Sequence, residues 1–191
     1  MFRALHRLLL PAALLLFSAT ALSGQEHHLL GVFQSPKGVG VSVLTGRDAE
    51  MNIFTLRTDF CGVLSGRTPE IGAVFCYTRD YVITTREGED WSVALHAGAG
   101  ALAGWVHDFE KGVFSIYDRG MTHSPGIAVG AAGNIGLRAD FARHITLDLS
   151  FSVFPGIHLR TNKSTGALIT SFYRAGLYHA YYPQLNLFYR F

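Results

Sequence analysis

The chain has 191 residues, of which 16 are basic and 14 acidic, so its formal net charge is +2. Such a length suits a single domain, and the absence of a basic run excludes the electrostatic footprint of a nucleic-acid-binding protein. Hydrophobic residues make up 49% of the chain, yet no stretch after the first 23 residues is long and apolar enough for a membrane-spanning helix. Strands that alternate apolar and polar residues hide their hydrophobicity in this way, so the composition favours a transmembrane β-barrel.

The first 23 residues predict a signal peptide. Arg3 and Arg7 supply a positively charged start, residues 8–17 form a short apolar core, and residues 21–23 supply the cleavage site. We therefore expect export of a mature barrel domain that spans residues 24–191. Loss of the two arginines leaves 14 basic residues against 14 acidic ones, so the formal charge of this domain is zero.

Alternation with a period of two residues predicts an all-β, up-and-down antiparallel barrel. The clearest segment begins at Ile145, where apolar residues occupy every second position as far as Val153 and polar residues lie between them. Residues 167–182 leave open a loop, part of a long final strand or an extra hairpin, so a count of ten strands stays open beside eight. The eight predicted strands are 28–34, 38–46, 51–63, 71–84, 91–107, 126–141, 144–159 and a last strand that ends at Phe191.

Short turns and long connections alternate along this strand order. In bacterial barrels the short turns and both termini usually lie on the periplasmic side. We therefore expect periplasmic turns at 47–50, 85–90 and 142–143, and extracellular connections at 64–70, 108–125 and 160–180.

Polar residues on the predicted inner face indicate a packed lumen. An eight-stranded barrel is just wide enough to be filled by side chains, and buried charges must be paired. We predict that arginines and aspartates pair across the interior; a proton or ion path along the same residues is the alternative. The predicted network consists of Arg57, Asp59, Asp80, Arg138, Asp140, Asp148 and Arg190, and Thr78, His96 and His158 are assigned to the same face.

Cys61 and Cys76 are the two cysteines of the chain. They flank the turn at 65–69 almost symmetrically, and an exported compartment permits oxidation. A hairpin centred on this turn would bring them opposite each other, so we predict a disulfide. Two free thiols are the alternative, because cross-strand geometry is often unfavourable.

Serine and histidine residues form no recognisable catalytic signature. The available pairs are His123 with Ser124, and His158 with Ser150 or Ser152. Unsupported pairs of this kind are nonspecific, and the other histidines lack the spacing of metal ligands. We therefore expect no catalytic turnover, no cofactor and no bound metal.

The last nine residues alternate apolar and polar side chains and end on Phe191. This ending resembles the terminal aromatic signal that the barrel assembly machinery reads. Together with residues 38–41, 99–105 and 136–141, it resembles small bacterial outer-membrane β-barrel proteins of the OmpA-like or PagL-like size class. One of these internal segments also resembles conjugal transfer barrels of the TraO type.

The resemblance implies a location in the bacterial outer membrane and contact with outer-membrane lipid and the assembly machinery. It also implies a porin-like architecture with a structural or loop-mediated interaction role, but it does not identify the envelope or extracellular partner. Lipid A deacylases and TraO-type proteins imply two alternatives, an outer-membrane lipid hydrolase and a conjugal transfer component. A hydrolase requires a serine and a histidine within hydrogen-bond reach on the lipid-facing wall, with an acid behind the histidine.

Overall fold

The computed structural model describes the strands and the shorter connections of the chain. The predicted signal peptide, Asp59, Cys61 and Phe191 lie outside the described residues. Described are residues 27–36, 38–47, 49–58, 71–106, 125–141, 144–161, 165–173, 176–177 and 179–190.

All strand pairs are antiparallel, and the sheet closes on itself because β5 pairs with β6. The strands β7 and β8 pair with successive halves of β6, while β9 pairs with β8 and β10 pairs with β7. These four segments form two interrupted strands, so the predicted eight-stranded up-and-down barrel is confirmed. The strands are β1 (His27–Ser35), β2 (Gly38–Arg47), β3 (Glu50–Thr58), β4 (Ala73–Glu87), β5 (Trp91–Val106), β6 (Gly126–Phe141), β7 (Ile145–Val153), β8 (Gly156–Thr161), β9 (Leu168–Phe172) and β10 (Gln184–Arg190).

The barrel has two distinct ends. We call the end where β2, β4, β6 and β10 finish the turn end, and the opposite end, where β1, β3 and β5 finish, the loop end. The strand β1 begins at the turn end, and the strands that flank the predicted turns 47–50, 85–90 and 142–143 meet there too, whereas the short gap between β1 and β2 lies at the loop end.

The outer wall is apolar over most of the barrel, but near the turn end of β3 and β4 it also carries Glu50, Asn52 and Arg79, and Arg79 pairs with Glu50. Alternation turns one side chain in two outward, and these residues are Leu, Ile, Val, Ala, Phe, Trp and Tyr in almost every strand. An extensive exposed apolar wall of this kind is stable against lipid rather than against water. Large exposed hydrophobic residues include Leu30, Val32, Val41, Phe75, Ile127, Val129, Ile135, Leu137, Leu149, Phe151, Leu185 and Leu187.

Aromatic residues form a girdle near the turn end. The strand register aligns Trp91 with Phe141, Phe141 with Ile145, and Ile145 with Tyr189, and all four side chains are exposed. Aromatic rings at this level are typical of the membrane–water boundary of transmembrane barrels. The wall is therefore that of a transmembrane barrel, as the alternation predicts.

The last strand is interrupted between Phe172 and Gln184, in the region that the sequence leaves open. The segment in between contains a 3₁₀ turn, His179–Tyr181. Tyr173 N donates to Gly156 O over 2.8 Å, and the side chains of Tyr173 and His179 are buried. The predicted connection 160–180 is wrong in extent, because β8 continues to Thr161, β9 follows at 168–172, and part of the remainder packs inward. None of the helical turns in the described part of the chain is long and apolar enough to cross a membrane.

Candidate functional site in the barrel lumen

The lumen is filled in layers from one end to the other. A polar mouth opens at the turn end, and an apolar layer lies behind it, formed by Leu29, Leu44, Met51, Ile53 and Phe188. A polar cluster around His96 occupies the middle. A second apolar cluster fills the loop end, formed by Val74, Cys76, Leu102, Val106, Ala128, Ala132, Phe154 and Tyr173.

Two aspartates hold His96 at the centre of the barrel. His96 Nδ1 lies 2.8 Å from Asp80 Oδ2, and His96 Nε2 lies 2.8 Å from Asp148 Oδ2. The first contact is aligned as a hydrogen bond, whereas the second has the distance of an ion pair without hydrogen-bond alignment. Asn134 Nδ2 donates to Asp80 Oδ2 over 2.8 Å. All three titratable side chains are buried, so the cluster joins four strands in a water-poor interior.

Two glycines create the space for this cluster. A Cβ at Gly98 would overlap Asp80 Oδ1, and a Cβ at Gly136 would lie 2.7 Å from Ser150 Cβ and 2.8 Å from His96 Nε2. Inward-facing glycine therefore compensates for inward-facing charge on the neighbouring strands. An adjoining cavity of about 30 Å³ has the size of a single water molecule.

Arg57 occupies the next level towards the loop end. Its guanidinium carbon lies 4.4 Å from the centroid of the Phe154 ring, and Nη1 lies 3.5 Å from His179 Nδ1. A cation over an aromatic face is favourable, more so where water is excluded. The structure thus brings Arg57 against an aromatic ring and a histidine, while Asp59, predicted to belong to the same network, lies outside the described residues.

The remaining members of the predicted network meet at the turn end. Arg138 Nε lies 3.7 Å and Arg190 Nη2 lies 3.8 Å from oxygens of Asp140. Ser92 and Thr146 donate hydrogen bonds to the same carboxylate. These groups line a cavity of about 270 Å³ at the mouth of the lumen.

The predicted charge pairing across the lumen therefore separates into two groups. Asp80 and Asp148 meet His96 rather than an arginine, and Asp140 meets Arg138 and Arg190. Sequence reasoning assigned His96 to the inner face but did not identify it as the centre of the network. The signals that it missed are Gly136, opposite His96 on β6, and Gly98, two residues along the same strand.

Among the described residues, Cys76 is buried in the lumen with a free thiol, and its predicted disulfide with Cys61 stays a prediction. The register of β3 with β4 places Thr55, not Cys61, opposite Cys76. The β3–β4 register has its midpoint between residues 65 and 66, whereas the midpoint of the two cysteines lies between residues 68 and 69. Cys61 itself lies outside the described residues.

The candidate hydrolase residues that the structure describes all face inward. Ser150, Ser152 and His158 are buried, and Ser152 Oγ donates to Gln184 Oε1 over 3.0 Å. His158 packs edge-on against Tyr173, with 6.2 Å between the ring centroids. The pair His123 and Ser124 lies outside the described residues. Within the described residues, no three His, Cys, Asp or Glu side chains are arranged to hold a metal ion.

Comparison with known proteins gives similarity at the level of solved structures. The N-terminal β-barrel domain of Pseudomonas aeruginosa OprF aligns with a TM-score of 0.44 and 9% identity, over 87% of this chain and 96% of that chain. A major outer membrane protein from Thermus thermophilus aligns with a TM-score of 0.45 and 13% identity, over 87% of this chain and 98% of that chain. No family model and no curated protein matches the chain.

Proposed function

We propose that this chain is a bacterial outer-membrane barrel with a structural or loop-mediated interaction role and no catalytic turnover of its own. The observation that carries the proposal is the contrast between its two faces. The outer wall exposes apolar side chains to lipid, while the inner face is closed by packed side chains and buried ion pairs. A barrel filled in this way is an anchor that presents its two ends, rather than a pore.

The lipid-hydrolase alternative needs a nucleophile that lipid can reach. Ser150, Ser152 and His158 are buried inside the barrel, so a lipid acyl ester on the outer surface does not meet them. This arrangement supports a non-enzymatic role for these three residues. The conjugal-transfer alternative rests on the short sequence resemblance, and no described contact favours it.

Location and orientation are tested together by inserted epitope tags. One tag is placed in the β5–β6 connection (108–125), and a matched tag is placed in the β4–β5 turn (88–90). We expect an antibody to reach the first tag on intact cells and the second only after the outer membrane is permeabilised. Access to the turn tag on intact cells would overturn the orientation, and recovery of the protein in the soluble periplasm would overturn the membrane location.

Absence of turnover is tested by mass spectrometry of lipid A and phospholipid after incubation with the purified, folded barrel. We expect no deacylated product. A product that disappears in Ser124→Ala or Ser150→Ala, with the barrel still folded, would establish the hydrolase and overturn our proposal.

A further inference from the structure

The mouth of the lumen at the turn end is a cavity that is closed at its inner end. Its lining residues come from β1 to β7 and from β10, that is, from all eight strands around the barrel. Its volume is about 270 Å³, and it is partly open to solvent. The buried side chains of Leu29, Leu44 and Met51 form an apolar floor. Beyond this floor the lumen is packed, so a molecule that enters from the turn end cannot pass through.

Two guanidinium groups in the wall of this cavity have unused hydrogen-bond donors. The carboxylate of Asp140 already accepts from Ser92 and Thr146 and lies 3.7–3.8 Å from the nearest nitrogens of Arg138 and Arg190. The Nε atoms of both arginines are buried, and within the described residues neither finds a hydrogen-bond acceptor.

The charge of the lining defines the kind of occupant further. Glu87 lies on the exposed rim, so two arginines and two acids give the lining a formal charge of zero. Attraction therefore depends on local guanidinium donors rather than on a net positive field. A planar carboxylate matches the guanidinium fork, and the apolar floor favours a short hydrocarbon body behind it.

We propose that this mouth binds a small organic carboxylate with a short apolar chain, which enters from the periplasmic side. The carboxylate lies between Arg138 and Arg190, and its chain lies against the floor next to Met51. Nothing in this proposal requires turnover, so the site is one of binding.

The test uses the methyl resonance of Met51, which reports directly on the floor. The mature barrel is labelled with ¹³C-methyl methionine, folded in detergent and titrated with sodium butyrate, and Met51→Leu assigns the signal. Butyramide, which has the same chain but no charge, is the control ligand. We expect butyrate to shift the Met51 resonance saturably and butyramide to leave it nearly unchanged.

Matched variants separate a binding site from general effects of salt or detergent. Arg138→Gln and Arg190→Gln should each weaken butyrate binding about tenfold, because each loses a charged hydrogen bond. Arg86→Gln, an exposed arginine near the same end, should bind like the wild type. Ala94→Leu, which fills the cavity and keeps both arginines, should also abolish the shift.

Three results would overturn the proposal: no saturable shift with butyrate, an equal shift with butyramide, or unchanged affinity in Arg190→Gln. Folding of each variant is checked by heat-modifiable migration on gels. If Arg138→Gln fails to fold, the affinity of Arg190→Gln for butyrate tests the proposal. The Arg190 side chain is 36% exposed and that of Arg138 is 13% exposed, so we expect Arg190→Gln to disturb folding less.

Discussion

Replacement of His96 by alanine should lower the free energy of unfolding of the barrel strongly. In His96→Ala, two buried carboxylates lose the imidazole that lies 2.8 Å from each of them. Asp80 keeps its hydrogen bond from Asn134, but Asp148 loses the imidazole nitrogen that lies 2.8 Å from its carboxylate. Removing one partner of a buried ion pair typically costs about 3–5 kcal/mol, and we expect a loss of this size in the free energy of unfolding.

The loss is measured by equilibrium urea unfolding in lipid vesicles, followed by the fluorescence of the two wall tryptophans. Ser152→Ala is the matched control, because it removes one buried hydrogen bond to Gln184 and should cost only about 1 kcal/mol. A triple variant, His96→Leu with Asp80→Asn and Asp148→Asn, removes the imidazole and both carboxylates; it should recover part of the loss, because a buried amide without a partner costs less than a buried charge. The reasoning is refuted if His96→Ala costs no more than Ser152→Ala, or if the triple variant is as unstable as the single one.

Three further changes test the packing and the assembly of the barrel. Gly98→Ala should cost about 1–3 kcal/mol in the same unfolding assay, because its Cβ overlaps Asp80. Gly133→Ala is the control and should be tolerated, because the atom nearest to its Cβ would lie 3.6 Å away. Equal costs for the two variants would contradict the close packing of Gly98 against Asp80. Leu149→Arg should cost roughly 2–4 kcal/mol, because its side chain faces lipid, whereas Leu149→Phe should be nearly neutral. Deletion of Phe191 should lower the amount of heat-modifiable barrel in the outer membrane without changing the urea midpoint of the folded fraction; normal assembly would contradict a role as assembly signal.

The strand plan could be read from the sequence because each strand has two chemically different faces. Lipid outside and packed polar groups inside impose strict alternation, and the predicted segment 126–141 coincides with β6. The prediction for the first two strands is within one residue at each end. Register follows from the same alternation, since a shift by one residue would turn every apolar side chain inward.

The interruption of the last strand could not be read in this way. Phe172 on the wall and Tyr173 in the lumen still alternate, so periodicity does not mark Phe172 as the end of β9. The chain leaves the regular strand where Tyr173 N donates to Gly156 O and Phe154 N donates to Gly176 O, which are contacts between segments distant in sequence. The alternation of apolar and polar residues does not predict hydrogen bonds of this kind.

The pairing inside the lumen was also beyond sequence reasoning, for a related reason. Alternation assigns a side chain to the inner face, but the height at which it meets a partner depends on the shear between strands. Asp80 faces Gly98 across the β4–β5 pair, while His96 faces Val82, so the contact between Asp80 and His96 is diagonal. Charge counting alone pairs aspartate with arginine, and it therefore overlooked the histidine.

These layers determine where the barrel can interact with other molecules. The apolar layer around Phe188 and the cluster around His96 block the lumen at two successive levels, and the cavity beside the cluster is only about 30 Å³. A ligand that enters from the turn end can therefore reach Arg138 and Arg190 but not His96. Binding at the mouth and stability at the centre depend on different charges, so Arg190→Gln should weaken butyrate binding without lowering stability, and His96→Ala should do the reverse.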